Sequence, residues 1–138
     1  MRSTLPKSLI LRGHNAFGDV LQHGSLIHGR WIRCYVRIEQ QASATAFRNG
    51  ARVQFGFAVP KKIVSSAVLR NRLRRLMRET VRLEKDSLWT GLGAQEKTAV
   101  IVLMLRRHEP AQLKTLSTGD IAGDWHLMIP KILSLSTG

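Results

Sequence analysis

The stretch Val53-Gln54-Phe55-Gly56-Phe57-Ala58-Val59-Pro60-Lys61-Lys62, followed after a short spacer by Ala67-Val68-Leu69-Arg70-Asn71-Arg72-Leu73-Arg74-Arg75-Leu76-Met77-Arg78-Glu79, decides how this chain is read. Over 52–59 the apolar residues alternate, with Val53, Phe55, Phe57 and Val59 on one side. Period 2 marks a strand with one buried face. Pro60 cannot donate to a strand ladder, so it ends that strand or sits at its margin. The period then changes. Leu69, Leu73, Leu76, Met77 and Thr80 form one stripe at helical spacing, which predicts a helix over 67–85, with Ser65 or Ser66 capping its start. Asn71, Arg72, Arg74, Arg75, Arg78 and Arg82 are expected on the opposite side.

Working outward, residues 98–105 are a continuous apolar run of strand length, read as a central strand buried on both faces. Residues 30–38 alternate, with Ile32, Cys34, Val36 and Ile38 on one face and Trp31, Arg33, Tyr35 and Arg37 on the other. Residues 14–23 carry Phe17, Val20 and Leu21 at helical spacing, with Gly24 as a stop. Residues 39–51 include Asn49-Gly50 and read as a hairpin loop. Gly91 and Gly93 make 87–96 a loop. Ile121, Trp125, Met128 and Ile132 are spaced for a last amphipathic helix, against the tendency of Gly123 and Pro130. The order is α-β-β-α-β-α, an α+β sandwich of helices on a small sheet.

A length of 138 residues is that of one domain, taken as 1–138, with enough chain for a core that needs no staples. The single Cys34 excludes an internal disulfide and a thiolate zinc finger. The longest apolar run, Ala99 to Leu105, falls well short of the roughly 20 residues that span a bilayer. Met1 to Lys7 holds no apolar signal core, so a cytoplasmic chain away from membranes is expected.

The net charge of +13 is concentrated. Residues 61–85 hold nine basic groups against Glu79 and Glu84, while residues 86–138 balance five against five. Such a footprint calls for a polyanion. On the predicted helix, arginine forks suit phosphate oxygens, and Asn71 can read a base or hold an arginine. The bland alternative, a solvated helix face, would mix in more acids than this run does. Trp31, Arg33, Tyr35 and Arg37 form either a platform for stacked bases or an ordinary strand face. Phe17 is either a core anchor or a ring bordering a groove. His14, His23, His28, His108 and His126 form no H-E-x-x-H or C-x-x-C pattern, and no nucleophile elbow, phosphate loop or G-x-G-x-x-G occurs, so no protein-built metal or active site is visible.

The segment Phe55 to Lys62, with Ala67 to Glu79 after it, resembles the signature of the bacterial ribonuclease P protein component, and Leu9-Ile10-Leu11-Arg12, Phe17, Val20 and Gly24 resemble that family's opening helix. The resemblance spans roughly residues 5–105. The chain departs from the pattern at Pro60, where Ser is usual, in the spacer Ile63 to Leu69, which lacks the usual Gly and is one residue longer, and at Leu21, where a second aromatic is usual.

The resemblance implies a two-layer α/β sandwich of the ribosomal protein S5 domain 2-like type, with a left-handed β-α-β crossover. It implies that Arg70, Asn71, Arg72, Arg74, Arg75 and Arg78 face a catalytic RNA, with Lys61 and Lys62 nearby. It implies a cleft for the single-stranded 5′ leader of precursor tRNA, with Phe17 and Tyr35 as its aromatics and Trp31, Arg33 and Arg37 beside them. One protein per RNA is expected, with Mg²⁺ held mainly by the RNA, hydrolysis performed there, and no cofactor bound to the protein. A ribosome-associated protein, a DNA binder placing 67–85 in the major groove, and a nuclease acting without RNA are the competing classes.

Overall fold

The computed structural model describes residues 14–40, 53–94 and 97–136. The elements in chain order are α1 (His14–His23), β1 (Ser25–His28), β2 (Ile32–Gln40), β3 (Val53–Ala58), α2 (Ala67–Ala94), β4 (Lys97–Leu105), α3 (Pro110–Lys114) and α4 (Thr118–Ser136). The strands form one sheet in the order β1-β2-β4-β3. β4 runs antiparallel to β2 and parallel to β3, so β3-α2-β4 is a crossover unit.

The central place of β4 follows from its composition. Ala99, Ile101, Leu103 and Leu105 enter one core, while Val100 and Val102 enter another. A strand apolar on both faces loses least when both are covered. This overturns the hairpin reading of 39–51: β4 lies between β2 and β3, which do not pair with each other. Asn49 and Gly50 themselves lie outside the described residues.

The larger core lies between the sheet and the pair α2 and α4, and it holds Ile32, Cys34, Phe55, Leu73, Met77, Ile101, Trp125 and Ile132. Trp125 meets Phe55 edge-on, with ring centroids 6.1 Å apart. On the opposite face α1 adds a partial layer, with Val20 buried against Val100 and Val102 and with Phe17, Leu21 and Tyr35 around them. Gly24 ends α1 as expected. Its N–H donates to the Val20 carbonyl at 2.8 Å, and a Cβ there would stand 2.5 Å from that oxygen.

The loop expected over 87–96 is helix: α2 continues through Gly91 and Gly93 to Ala94. Leu88 and Leu92 are fully buried and extend the apolar stripe, and a Cβ on Gly91 would stand 2.6 Å from the Leu133 side chain of α4. Gly91 thus marks close helix packing. α4 likewise runs through Pro130, because burial of Ile121, Trp125, Met128, Ile129 and Ile132 outweighs the lost backbone bond. β1 and the short α3 are absent from the order expected of the sequence.

Candidate nucleic-acid interface

Two cationic surfaces emerge. The first lies on α2. Asn71, Arg74, Arg75 and Arg78 line a shallow cavity of about 330 Å³. Arg74 donates to Asn71 Oδ1, so the asparagine orients an arginine. The Arg78 guanidinium lies 5.9 Å from the Phe57 ring centroid. Arg75 is exposed, and among the described residues Arg74, Arg75 and Arg78 form no ion pair. Arg82, by contrast, is paired with Glu79, whose hydrogen bond raises the guanidinium pKa further.

The two flanking arginines are engaged differently. Arg70 donates to the carbonyls of Val64 and Ser65 at 2.9 and 2.8 Å and closes the turn into α2. Arg72 donates to the Leu116 carbonyl at 2.9 Å and to that of Leu113 at 3.5 Å. All these acceptors are neutral, so the positive charge of both residues survives.

The second surface lies where β3 and β4 end. Arg33, Pro60, Lys61, Lys62, Ile63, Arg106 and Arg107 line a cleft of about 760 Å³. Five of these seven residues are cations and none is acidic. Arg106 donates to the Gly29 carbonyl, and Arg107 to that of Lys62 at 3.3 Å. Arg33 donates to the Met104 sulfur at 3.6 Å, yet its Nε is buried with no partner. A buried donor left unmet in a cationic cleft suits an anionic oxygen. Sequence reasoning missed Arg106 and Arg107. Their signal was a basic pair directly after the central strand, hidden by the neutral balance of the C-terminal third.

The row Trp31, Arg33, Tyr35 and Arg37 splits. Arg33 and Tyr35 share the α1 face, with the guanidinium 5.8 Å from the ring centroid. Arg37 on that face is ion-paired with Asp19 of α1. Trp31 precedes β2 and packs against the larger core. His108 stands 4.4 Å from its ring and the Arg30 guanidinium 5.2 Å. Phe17 lies over the backbone of Gly56, where a Cβ would stand 2.6 Å from its ring, so it is both an anchor of α1 and half-open beside Tyr35. Lys61 and Lys62, expected near the α2 surface, line the second cleft with Arg33.

Asp124 is, in the sequence, one of several scattered acids. Its buried carboxylate accepts the backbone N–H groups of Arg30, Trp31 and Ile32 at 3.0, 2.6 and 3.0 Å. It therefore fixes the turn that feeds β2 and, through it, Arg33. Among the described residues no group of three His, Cys, Asp or Glu could hold a metal ion, and no helix is long and apolar enough to cross a membrane.

A basic helix in a parallel crossover and a cationic cleft at the same sheet's end, neither lined by an acidic residue among the described residues, define the class: an α+β protein with two concentrated cationic surfaces. The chain belongs to the Ribonuclease P family, whose model matches residues 5–118. It is 39% identical over 88 residues to the ribonuclease P protein component of Chlorobium phaeobacteroides, covering 64% of this chain and 58% of that one. It is 37% identical over 113 residues to that of Pelotomaculum thermopropionicum, covering 72% and 92%. The matches thus span less than two thirds of the Chlorobium relative and nearly all of the Pelotomaculum one. The fold is that of the solved Staphylococcus aureus RNase P protein (TM-score 0.64, 20% identity, 92% of this chain and 99% of that one) and of the Thermotoga maritima one (TM-score 0.65, 19% identity, 89% and 96%).

Proposed function

We propose that the chain is the protein subunit of a ribonuclease P holoenzyme, binding a catalytic RNA and the 5′ leader of precursor tRNA and assisting endonucleolytic removal of that leader. The observation that carries this reading is the pair of separate cationic surfaces, one on α2 and one at the end of the sheet, because such a protein must hold two RNAs at once. Asn71, Arg74, Arg75 and Arg78 meet the RNA subunit, Arg70 adds charge beside them, and Arg72 is held against the carbonyls that end α3. The leader runs over Phe17, Tyr35 and Arg33 toward Lys61, Lys62, Arg106 and Arg107, where its phosphates gain donors. Arg37, ion-paired with Asp19, borders the leader's path, and Trp31 flanks the turn.

In this reading the RNA subunit holds the Mg²⁺ that supports hydrolysis, and one protein serves one RNA in the cytoplasm. The protein's contribution is electrostatic. Two polyanions repel, and fixed cations between them relieve that repulsion and release counterions. The test is reconstitution with a bacterial catalytic RNA. Adding the chain is expected to restore leader cleavage at low Mg²⁺, where the RNA alone is slow, while the chain alone cleaves nothing. No gain at any Mg²⁺ concentration, or cleavage without RNA, refutes the proposal.

A further inference from the structure

Arg72 sits within the arginine run of α2, but its geometry separates it from its neighbours. At about 100° per residue, Asn71, Arg74, Arg75 and Arg78 fall within an arc of about 100°. Arg72 lies about 60° beyond the edge of that arc and only about 40° from Leu76 on the core stripe. Its guanidinium accordingly turns inward, onto the carbonyls of Leu113 and Leu116, whose own side chains are buried. These carbonyls close the end of α3, where the Leu116 N–H also donates to the Leu113 carbonyl at 3.4 Å. Two turns further along α2, the Thr80 hydroxyl donates to the Leu76 carbonyl at 2.9 Å and stands 3.5 Å from the Thr118 carbonyl, so the same side of the helix also packs against the start of α4.

This grip bears on the cleft. Arg106 and Arg107 leave β4 at Leu105 and enter α3 at Pro110, through a capping box of Glu109 and Gln112. The segment 106–109 is tied to the turn before β2 by the Arg106 N–H on the Trp31 carbonyl at 2.9 Å and by His108 Nε2 at 2.8 Å from the Arg30 carbonyl, and it runs on into a short helix held by Arg72 and by buried Leu113 and Leu116. Its two arginines must stay in place to reach Gly29 and Lys62 and to face Arg33. A five-residue helix has little stability of its own, so its position depends on such outside contacts.

We propose that Arg72 is a positioning residue for the leader cleft rather than a phosphate ligand of the RNA subunit: it fixes α3 and thereby holds Arg106 and Arg107 at the end of the sheet. The inference rests on the function proposed above, and it deepens it by giving one arginine of the run a different task.

The experiment compares Arg72→Ala, Arg72→Lys and Arg75→Ala in the full chain reconstituted with the catalytic RNA. Arg75→Ala is expected to make the salt dependence of RNA-subunit binding shallower, by about 0.7–0.9 in log–log slope for one lost phosphate contact. Both Arg72 variants are expected to leave that slope unchanged. They should instead lower, about fivefold, the preference of the holoenzyme for leader-bearing precursor over mature tRNA, raising KM with kcat unchanged. Lysine keeps the charge but not the fork, so it should fail to rescue. Amide exchange at 117–120 should quicken in both variants. A shallower slope for Arg72→Ala with leader preference intact, or full rescue by lysine, overturns the proposal. If the wild-type chain binds no catalytic RNA, the function fails, and unchanged amide exchange in both variants would then refute the Arg72 grip on its own.

Discussion

At the scale of single residues, Asp124 shows what a sequence hides. Its carboxylate satisfies N–H groups 92 to 94 positions away, a pairing that only the folded topology creates. Asp124→Ala leaves those donors unmet, and the expected cost is about 3 kcal/mol, or about 10 °C in melting temperature. Asp124→Asn keeps one carbonyl acceptor and should fall between. Thermal unfolding decides, and an unchanged midpoint in Asp124→Ala would remove the anchor. Cys34 lies close by in the core. Burial first, then the Asp124 carboxylate, push its thiol far above the ordinary 9.0. The folded chain thus keeps a proton that the unfolded chain releases near pH 9. Stability from this group is complete below that pH and falls above it, by about 1.4 kcal/mol per pH unit. Urea unfolding at a series of pH values should show the decline in the wild type and less of it in Cys34→Ala. Arg72 is more legible than either, because the helical angles place it at the border of the core stripe. On the proposal above, that angle separates its task from that of the other arginines.

At the scale of elements, periodicity is a good guide and punctuation misleads. The alternation over 52–59 and the stripe over 67–85 became β3 and the first part of α2, since each is a local pattern with one buried face. Gly91 looks like a loop residue because a glycine inside a helix costs about 1 kcal/mol relative to alanine. In the fold that cost is offset by the close approach of Leu133, which no local pattern announces. Gly91→Ala should therefore bring no gain by itself. In a Leu133→Ala background the same change should stabilise by about 1 kcal/mol, and the double-mutant cycle measures the difference. Gly123 of α4 supplies the contrast. A Cβ there would meet nothing within 4 Å, so Gly123→Ala should stabilise by about 0.5–1 kcal/mol. A gain at Gly91 equal to that at Gly123 would deny the packing explanation. The Asn-Gly signal misleads for a different reason: a turn dipeptide speaks for its own few residues, whereas strand order is set by which strand has two faces to bury.

At the scale of the whole molecule, net charge foretells a polyanion but not its arrangement. The charge run draws attention to residues 61–85, and the fold divides that segment between two places. Lys61 and Lys62 join Arg33, Arg106 and Arg107 at the end of the sheet, while Arg74, Arg75 and Arg78 stay on α2 with Asn71. Arg33 and Arg107 are 74 positions apart in a chain of 138, so only strand pairing of β2 with β4 brings them together. A division of place implies a division of labour that charge-matched variants can expose. Arg74→Gln with Arg75→Gln and Lys61→Gln with Lys62→Gln each remove two positive charges. If the molecule acted only through its net field, both pairs would weaken every RNA contact alike. With two sites, the α2 pair should weaken assembly with the catalytic RNA and flatten its salt slope by about 1.4–1.8, for two lost phosphate contacts. The sheet-end pair should leave assembly near the wild-type value and instead erase the preference for leader-bearing precursor. It should also raise the Mg²⁺ needed for cleavage of precursor, since fewer fixed cations then offset the leader's approach to the RNA subunit. Equal loss of assembly in both variants would return the protein to a diffuse cationic surface, and the two sites would have no separate meaning.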